Sequence, residues 1–230
     1  MSSARAIAAS AVLAFSVPAV AADAASATSA FSAPESAYVG GYGFASYGRA
    51  TVDASQADFD RILGSAGLSN VSSSIDKNSA GFKLGAGYMF DENFGFEGGW
   101  IDLGKAKISG KGTAAGSPVT VDLEAQASGP FIAGVIAFPV SNELSVFAKL
   151  GFIDSTVEVR ATAASVSAVA GRSVSSSGLT TMYGAGIQYD VNRQWGIRAE
   201  YESFPKLGDK NKTGEADVGL VSVGVVFRFE

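Results

Sequence analysis

Lys83, Glu97, Lys149, Arg198, Glu200, Glu202 and Arg228 share one setting. Each stands in an alternating stretch, on the parity otherwise held by glycine and other small residues. Acids and bases gathered on one narrow face would pair with each other, because an unpaired charge away from water costs several kcal/mol. Other chemistry is excluded by composition. The 230 residues include no histidine and no cysteine, which rules out a histidine-dependent triad and His/Cys metal centres. Ser74-Ile75-Asp76-Lys77 and Lys212-Thr213-Gly214 match the S-x-x-K and K-T-G patterns, but the accompanying Ser-Asp-Asn is missing. Gly85 and Gly87 precede a strand pattern and not a helix, so they do not form a nucleotide fingerprint. Acidic clusters lack EF-hand spacing. The expectation is a protein that is not an enzyme and takes no cofactor or metal.

The elements that position these charges are legible from three short polar turns, at residues 91–93, 139–143 and 190–194. Large side chains of matching parity bracket each, as with Tyr88 and Phe90 before Phe94 and Phe96, or Ile187 and Tyr189 before Trp195 and Ile197. That pattern predicts long antiparallel hairpins. Eight strands follow: about 38–48, 81–90, 94–104, one from near Val119 to Phe138, 144–151, 183–189, 195–202 and 221–229. Longer Ser/Gly/Ala-rich segments at 49–80, 105–118, 160–178 and 205–217 read as loops, with a short surface helix over 53–63. Short turns at one end and long loops at the other describe an all-β, eight-stranded, antiparallel up-and-down transmembrane barrel.

The two faces of the strands agree with this reading. Tyr88, Trp195, Ile197, Val223 and their equivalents form a large apolar face, while many of the chain's 28 glycines and the charges collect opposite. In lipid the apolar face points outward and the narrow lumen takes small and paired polar residues. The rule sends the larger face of the first strand, with Tyr42 and Phe44, toward lipid. Phe90, Phe94, Phe138, Tyr189, Trp195 and Phe229 lie on the outward parity beside a turn or the chain end, as a periplasmic aromatic girdle would. An even strand count closes the sheet without an edge.

Residues 1–22 read as a signal peptide: Arg5, an apolar stretch over 6–17, and Ala19-Val20-Ala21 as a cleavage site. Residues 23–36 are Ala/Ser-rich and aperiodic, a flexible periplasmic lead-in. Residues 37–230 form the barrel domain. The formal net charge of −5 and the lack of a basic cluster argue against nucleic acid as a partner.

The segments Gly85-Ala86-Gly87-Tyr88 through Gly104, Phe138-Pro139-Val140-Ser141-Asn142 through Gly151, Tyr183-Gly184 through Tyr201, and Val221-Ser222-Val223-Gly224 through Phe229 together resemble the outer membrane protein A-like β-barrel family. The resemblance implies a barrel of the Gram-negative outer membrane, in contact with lipid and lipopolysaccharide. It implies that Glu97, Lys149, Arg198 and Glu200 fall on charged lumen positions forming a plug. Phe227 and Phe229 look like the terminal signal read by the barrel-assembly machinery, although Glu230 follows them. Val135 and Gln188 stand where enteric members carry a lysine and a glutamate. The expected match is to the barrel without the peptidoglycan-binding domain of longer family members, so cell-wall tethering is not expected. The implied role is envelope integrity with surface loops for adhesion or host contact. The rival reading is a small porin-like diffusion channel.

Overall fold

The computed structural model describes residues 38–53, 56–65, 67–114, 116–165, 169–209 and 213–229. The expected signal peptide and lead-in lie outside the described residues. Nine strands and a helix follow in order: β1 (Gly40–Asp53), α1 (Gln56–Ser65), β2 (Ser69–Asp76), β3 (Asn78–Met89), β4 (Phe94–Ala114), β5 (Ser117–Pro139), β6 (Leu144–Ser165), β7 (Val169–Asp190), β8 (Trp195–Asp209) and β9 (Gly214–Arg228). They pair in the order β2-β4-β3-β1-β9-β8-β7-β6-β5, and β5 returns to β4 to close the ring. All pairings are antiparallel. Residues 82–89 of β3 lie against 95–102 of β4, and β2 lies against 107–113 of the same strand. The two pieces share one place in the wall, so the ring has eight positions.

The three short turns use one device. A side-chain oxygen within each turn accepts the backbone N–H groups two and three positions on. Asp91 Oδ1 takes those of Asn93 and Phe94 at 2.8 Å. Ser141 Oγ takes those of Glu143 and Leu144 at 3.3 and 3.1 Å, and Asn192 Oδ1 those of Gln194 and Trp195 at 2.9 and 2.8 Å. The turn residues thus satisfy backbone donors that the ladders leave over.

Outward from these turns the wall carries an exposed apolar belt that includes Leu84, Trp100, Ile132, Leu150, Tyr201 and Val223. The outward rows turn polar at Asp102, Ser128, Asp154, Thr181 and Ser203. The strands do not stop there. β4 to β7 have 21, 23, 22 and 22 residues, roughly twice the nine to eleven that cross a bilayer. The segments expected as loops at 105–118, 160–178 and 205–217 are therefore mostly strand, and 49–80 contains the end of β1, α1, β2 and the start of β3. Their Ser, Thr and Ala content hides a period of two that cross-strand pairs exploit, such as Lys105 with Glu124 at 2.8 Å and Thr156 with Ser177 at 3.0 Å.

Two bulges mark the top of the belt. The register shifts between Asp102 and Lys105 on β4, where Gly104 has φ +71°, and between Phe204 and Leu207 on β8, where Lys206 has φ +54°. Each bulge reverses side-chain parity. Ile101 and Leu103 keep the inward parity of Glu97, and Ala106, past the bulge, points inward on the opposite parity. The third predicted strand blurs at Ile101 and Leu103 because these large apolar side chains belong to the buried cluster and not to the lipid face.

The expected helix forms over residues 56–65 and is more than a surface element. Phe59 and Leu63, one turn apart, are buried. A Cβ on Gly110 of β4 would lie 2.7 Å from Leu63 Cδ1 and 3.2 Å from Phe59 Cε1. Gln56 Nε2 donates to the Ser73 carbonyl at 2.6 Å. Gly110→Phe is expected to displace α1, at an overpacking cost of about 1–3 kcal/mol. Hydrogen exchange of the α1 amides should accelerate about tenfold or more, while β3 amides keep their protection.

Candidate functional site

Six of the seven charges, all but Arg228, lie together in a chain of alternating sign. Glu202 Oε2 accepts from Lys83 Nζ at 2.8 Å, and Lys83 also pairs with Glu200. Lys149 Nζ lies 2.6 Å from both Glu200 Oε2 and Glu97 Oε2. Arg198 Nη1 donates to Glu97 Oε1 at 2.5 Å, and the Tyr42 hydroxyl donates to the same oxygen at 2.8 Å. Three cations, Lys83, Lys149 and Arg198, thus meet three anions, Glu97, Glu200 and Glu202. The six charges sum to zero, as a low-dielectric interior requires. Lys83, Glu97 and Glu202 are fully buried.

A neutral relay carries the chain to the turn end. Gln188 Oε1 accepts from Arg198 Nε and Nη2 at 3.2 and 2.9 Å, and Gln188 Nε2 donates to Asp190 Oδ1 at 2.9 Å. Arg228, grouped with the lumen charges on sequence grounds, pairs instead with Asp190 Oδ2 at 2.5 Å and lies 4.9 Å from the Tyr38 ring centre. It sits at the rim. The glutamine at position 188 keeps the path connected without adding a charge, and Val135 is buried apolar lining at the same end.

Tyr42 and Phe44 overturn one expectation. Both point into the lumen, 3% and 5% exposed. The Phe44 ring centre lies 5.7, 5.6 and 5.6 Å from the cationic centres of Lys83, Lys149 and Arg198, and Phe147 lies 4.8 Å from that of Arg198. Glycines on the neighbouring strands make the room. A Cβ on Gly85 would stand 2.6 Å from Phe44 Cζ, and one on Gly186 would stand 2.5 Å from Phe147 Cζ. The glycine-rich face is thus filled by rings from adjacent strands. Outside, Phe229 covers the glycines of β1, since a Cβ on Gly41 or Gly43 would meet its ring at 3.4 or 3.5 Å.

Above the ions Ile101, Ile153, Met182, Phe204 and Leu220 pack as a dry apolar layer, every one of them 1% exposed or less. The girdle residues Phe90, Phe94, Phe138, Tyr189, Trp195 and Phe229 are all exposed beside the turns. Phe227 is packed between Trp195 and Phe229, with ring centres 4.8 and 5.7 Å away. Among the described residues no group of three or more acidic, histidine or cysteine side chains could hold a metal ion.

A family model, the OmpA-like transmembrane domain, matches residues 34–230. The chain belongs to this family. Outer membrane protein A of Salmonella typhi is 28% identical over 154 residues, covering 66% of this chain and 41% of that protein. The protein of the same name from Serratia marcescens is 25% identical over 166 residues, 71% of this chain and 42% of its own length. The chain therefore spans about two fifths of these curated relatives. Among solved structures, the attachment invasion locus protein Ail of Yersinia pestis, determined with the heparin analogue sucrose octasulfate, is 21% identical. That alignment covers 83% of this chain and 99% of Ail, at a TM-score of 0.43. This OmpA-like barrel is a protein of the Gram-negative outer membrane. Its apolar belt faces the lipid and its neutral ion chain crosses the lumen.

Proposed function

We propose that this OmpA-like barrel is a non-enzymatic envelope protein that reinforces the outer membrane and presents its long β-hairpins to surfaces outside the cell. The observation that carries the reading is a closed lumen beneath projecting strands. Paired charges, rings and apolar side chains occupy the bore at the height of the belt, while β4 to β7 extend well past it. An eight-stranded barrel is just wide enough for side chains to fill it. Lipopolysaccharide is the proposed outer-leaflet partner, met first by the exposed Lys105 and Lys107 beside Glu124. Phe227 and Phe229 are the proposed recognition point for the assembly machinery.

Liposomes carrying the purified protein should swell in a small sugar no faster than protein-free liposomes. A deletion strain should become detergent-sensitive. Shortening the β4–β5 hairpin beyond the bulge should reduce adhesion to host cells without making the strain detergent-sensitive. Adhesion unchanged in both strains would remove the contact role.

One feature favours a second reading, a narrow ion path. Glu97 and Glu200 are each shared by two cations, so partners can exchange without leaving a charge bare. Planar-bilayer recordings with no conductance above background, for the wild type and for Arg198→Ala, would eliminate it.

A further inference from the structure

The inner wall changes character above the apolar layer. In the belt the strands are apolar outside and polar inside. Beyond the bulges the order reverses: Lys105, Lys107, Glu124 and Glu158 point out, while Ala106, Ile108, Leu123, Ala125, Ala127 and Val159 point in. Those six face a cavity of about 230 Å³ bounded by residues of β1 to β6, β8 and β9. Its floor includes Leu103, Val157 and Val218, which belong to the buried apolar cluster over the ion chain. The space is a blind cup above the belt.

We infer that this cup is a binding site for a small, neutral, apolar molecule. An eight-stranded barrel wall can enclose one such ligand where its inward side chains stay short, and here three alanines leave the volume free. An apolar cavity of about 150 Å³ suffices for benzene, so this one suits a substituted ring or a chain of like bulk. Three charged residues border it, Asp76 and Glu215 with Lys77, a net charge of −1, too little to favour an ion over an apolar molecule among so many apolar side chains. The inward rows of strands that project into water have no need of Ile108 and Leu123 as lipid contacts, and they lie above the layer that closes the bore. A ligand held there reaches the protein from outside the cell and is not passed through it.

The test uses the full barrel in lipid nanodiscs with labelled Ile, Leu and Val methyl groups, titrated with toluene. The Ile108, Leu123 and Val159 methyls should shift along a saturating curve, while lipid-facing Leu84 and Leu150 drift linearly as toluene enters the bilayer. Ala125→Leu, which fills the cup, should weaken the saturating response about tenfold or more. Retained heat-modifiable gel mobility would show that the variant is folded. Should that variant misfold, Ala106→Val on the facing strand serves in its place. Cup methyls that respond no differently from Leu84 and Leu150, or a saturating response unchanged in the folded filled variant, would overturn the assignment.

Discussion

Replacing Glu97 by glutamine should lower the unfolding free energy of the barrel by about 3–5 kcal/mol, the cost of breaking a buried ion pair from one side. Glu97 is the most connected member of the lumen chain: it receives Arg198, Lys149 and the Tyr42 hydroxyl. The amide keeps the shape but removes the charge, so Lys149 is left with Glu200 alone and Arg198 with the neutral Gln188. One net positive charge then stays buried. Urea titration in lipid vesicles, followed by the emission of the lipid-facing Trp100 and Trp195, reads the change. Glu202→Gln should cost clearly less, because among the described residues Glu202 pairs with Lys83 alone, which retains Glu200. Adding Lys149→Met to Glu97→Gln should recover part of the loss, since the excess positive charge leaves with the lysine. Equal costs for Glu97→Gln and Glu202→Gln would mean that the charges act as independent filling and not as a chain.

The sequence announces this chain because the belt enforces a period of two. Lys83, Glu97, Lys149, Arg198, Glu200 and Glu202 keep the parity of their glycine neighbours, and lipid admits apolar side chains on the other parity. The turns are equally legible, since Asp91, Ser141 and Asn192 carry the side-chain oxygens that close them. Extending the β7 parity two residues past Gln188 reaches Asp190 and, through it, the rim pair with Arg228. Other features are set by complementarity between strands, which no single strand reveals. On β1, Tyr42 and Phe44 alternate with Gly41, Gly43 and Ala45, a pattern that serves either orientation. The choice depends on Gly85 and Gly87 making room inside for Phe44 and Tyr42 and on Phe229 covering the outside. Above the belt the constraint of lipid is gone. Strand continues there through Ser, Thr and Ala because hydrogen-bonded ladders hold it, and the parity reversals at Gly104 and Lys206 break the pattern that would otherwise have revealed it.

The second large effect follows from the inward ring of β1. Phe44→Ala should destabilise the barrel by about 3–5 kcal/mol, the range for deleting a buried aromatic side chain whose site cannot collapse. Collapse is hindered here, because the surrounding wall is a closed ladder and the nearest neighbours are ion-paired. The loss is compounded by the three cations that share the ring, each contact being worth roughly 0.5–2 kcal/mol. Phe44→Leu, which restores much of the volume and none of the aromatic face, should fall between alanine and the wild type. The vacated space is polar-walled and large enough to admit water, so the alanine variant should also be the one that weakens the seal. Liposome swelling should rise above that of the wild type in Phe44→Ala and stay at the wild-type level in Phe44→Leu. Stability lost without any gain in permeability would leave Phe44 as packing alone and assign the seal to the apolar layer of Ile101, Ile153 and Phe204 above it. Unchanged stability would contradict the placement of the ring among Lys83, Lys149 and Arg198.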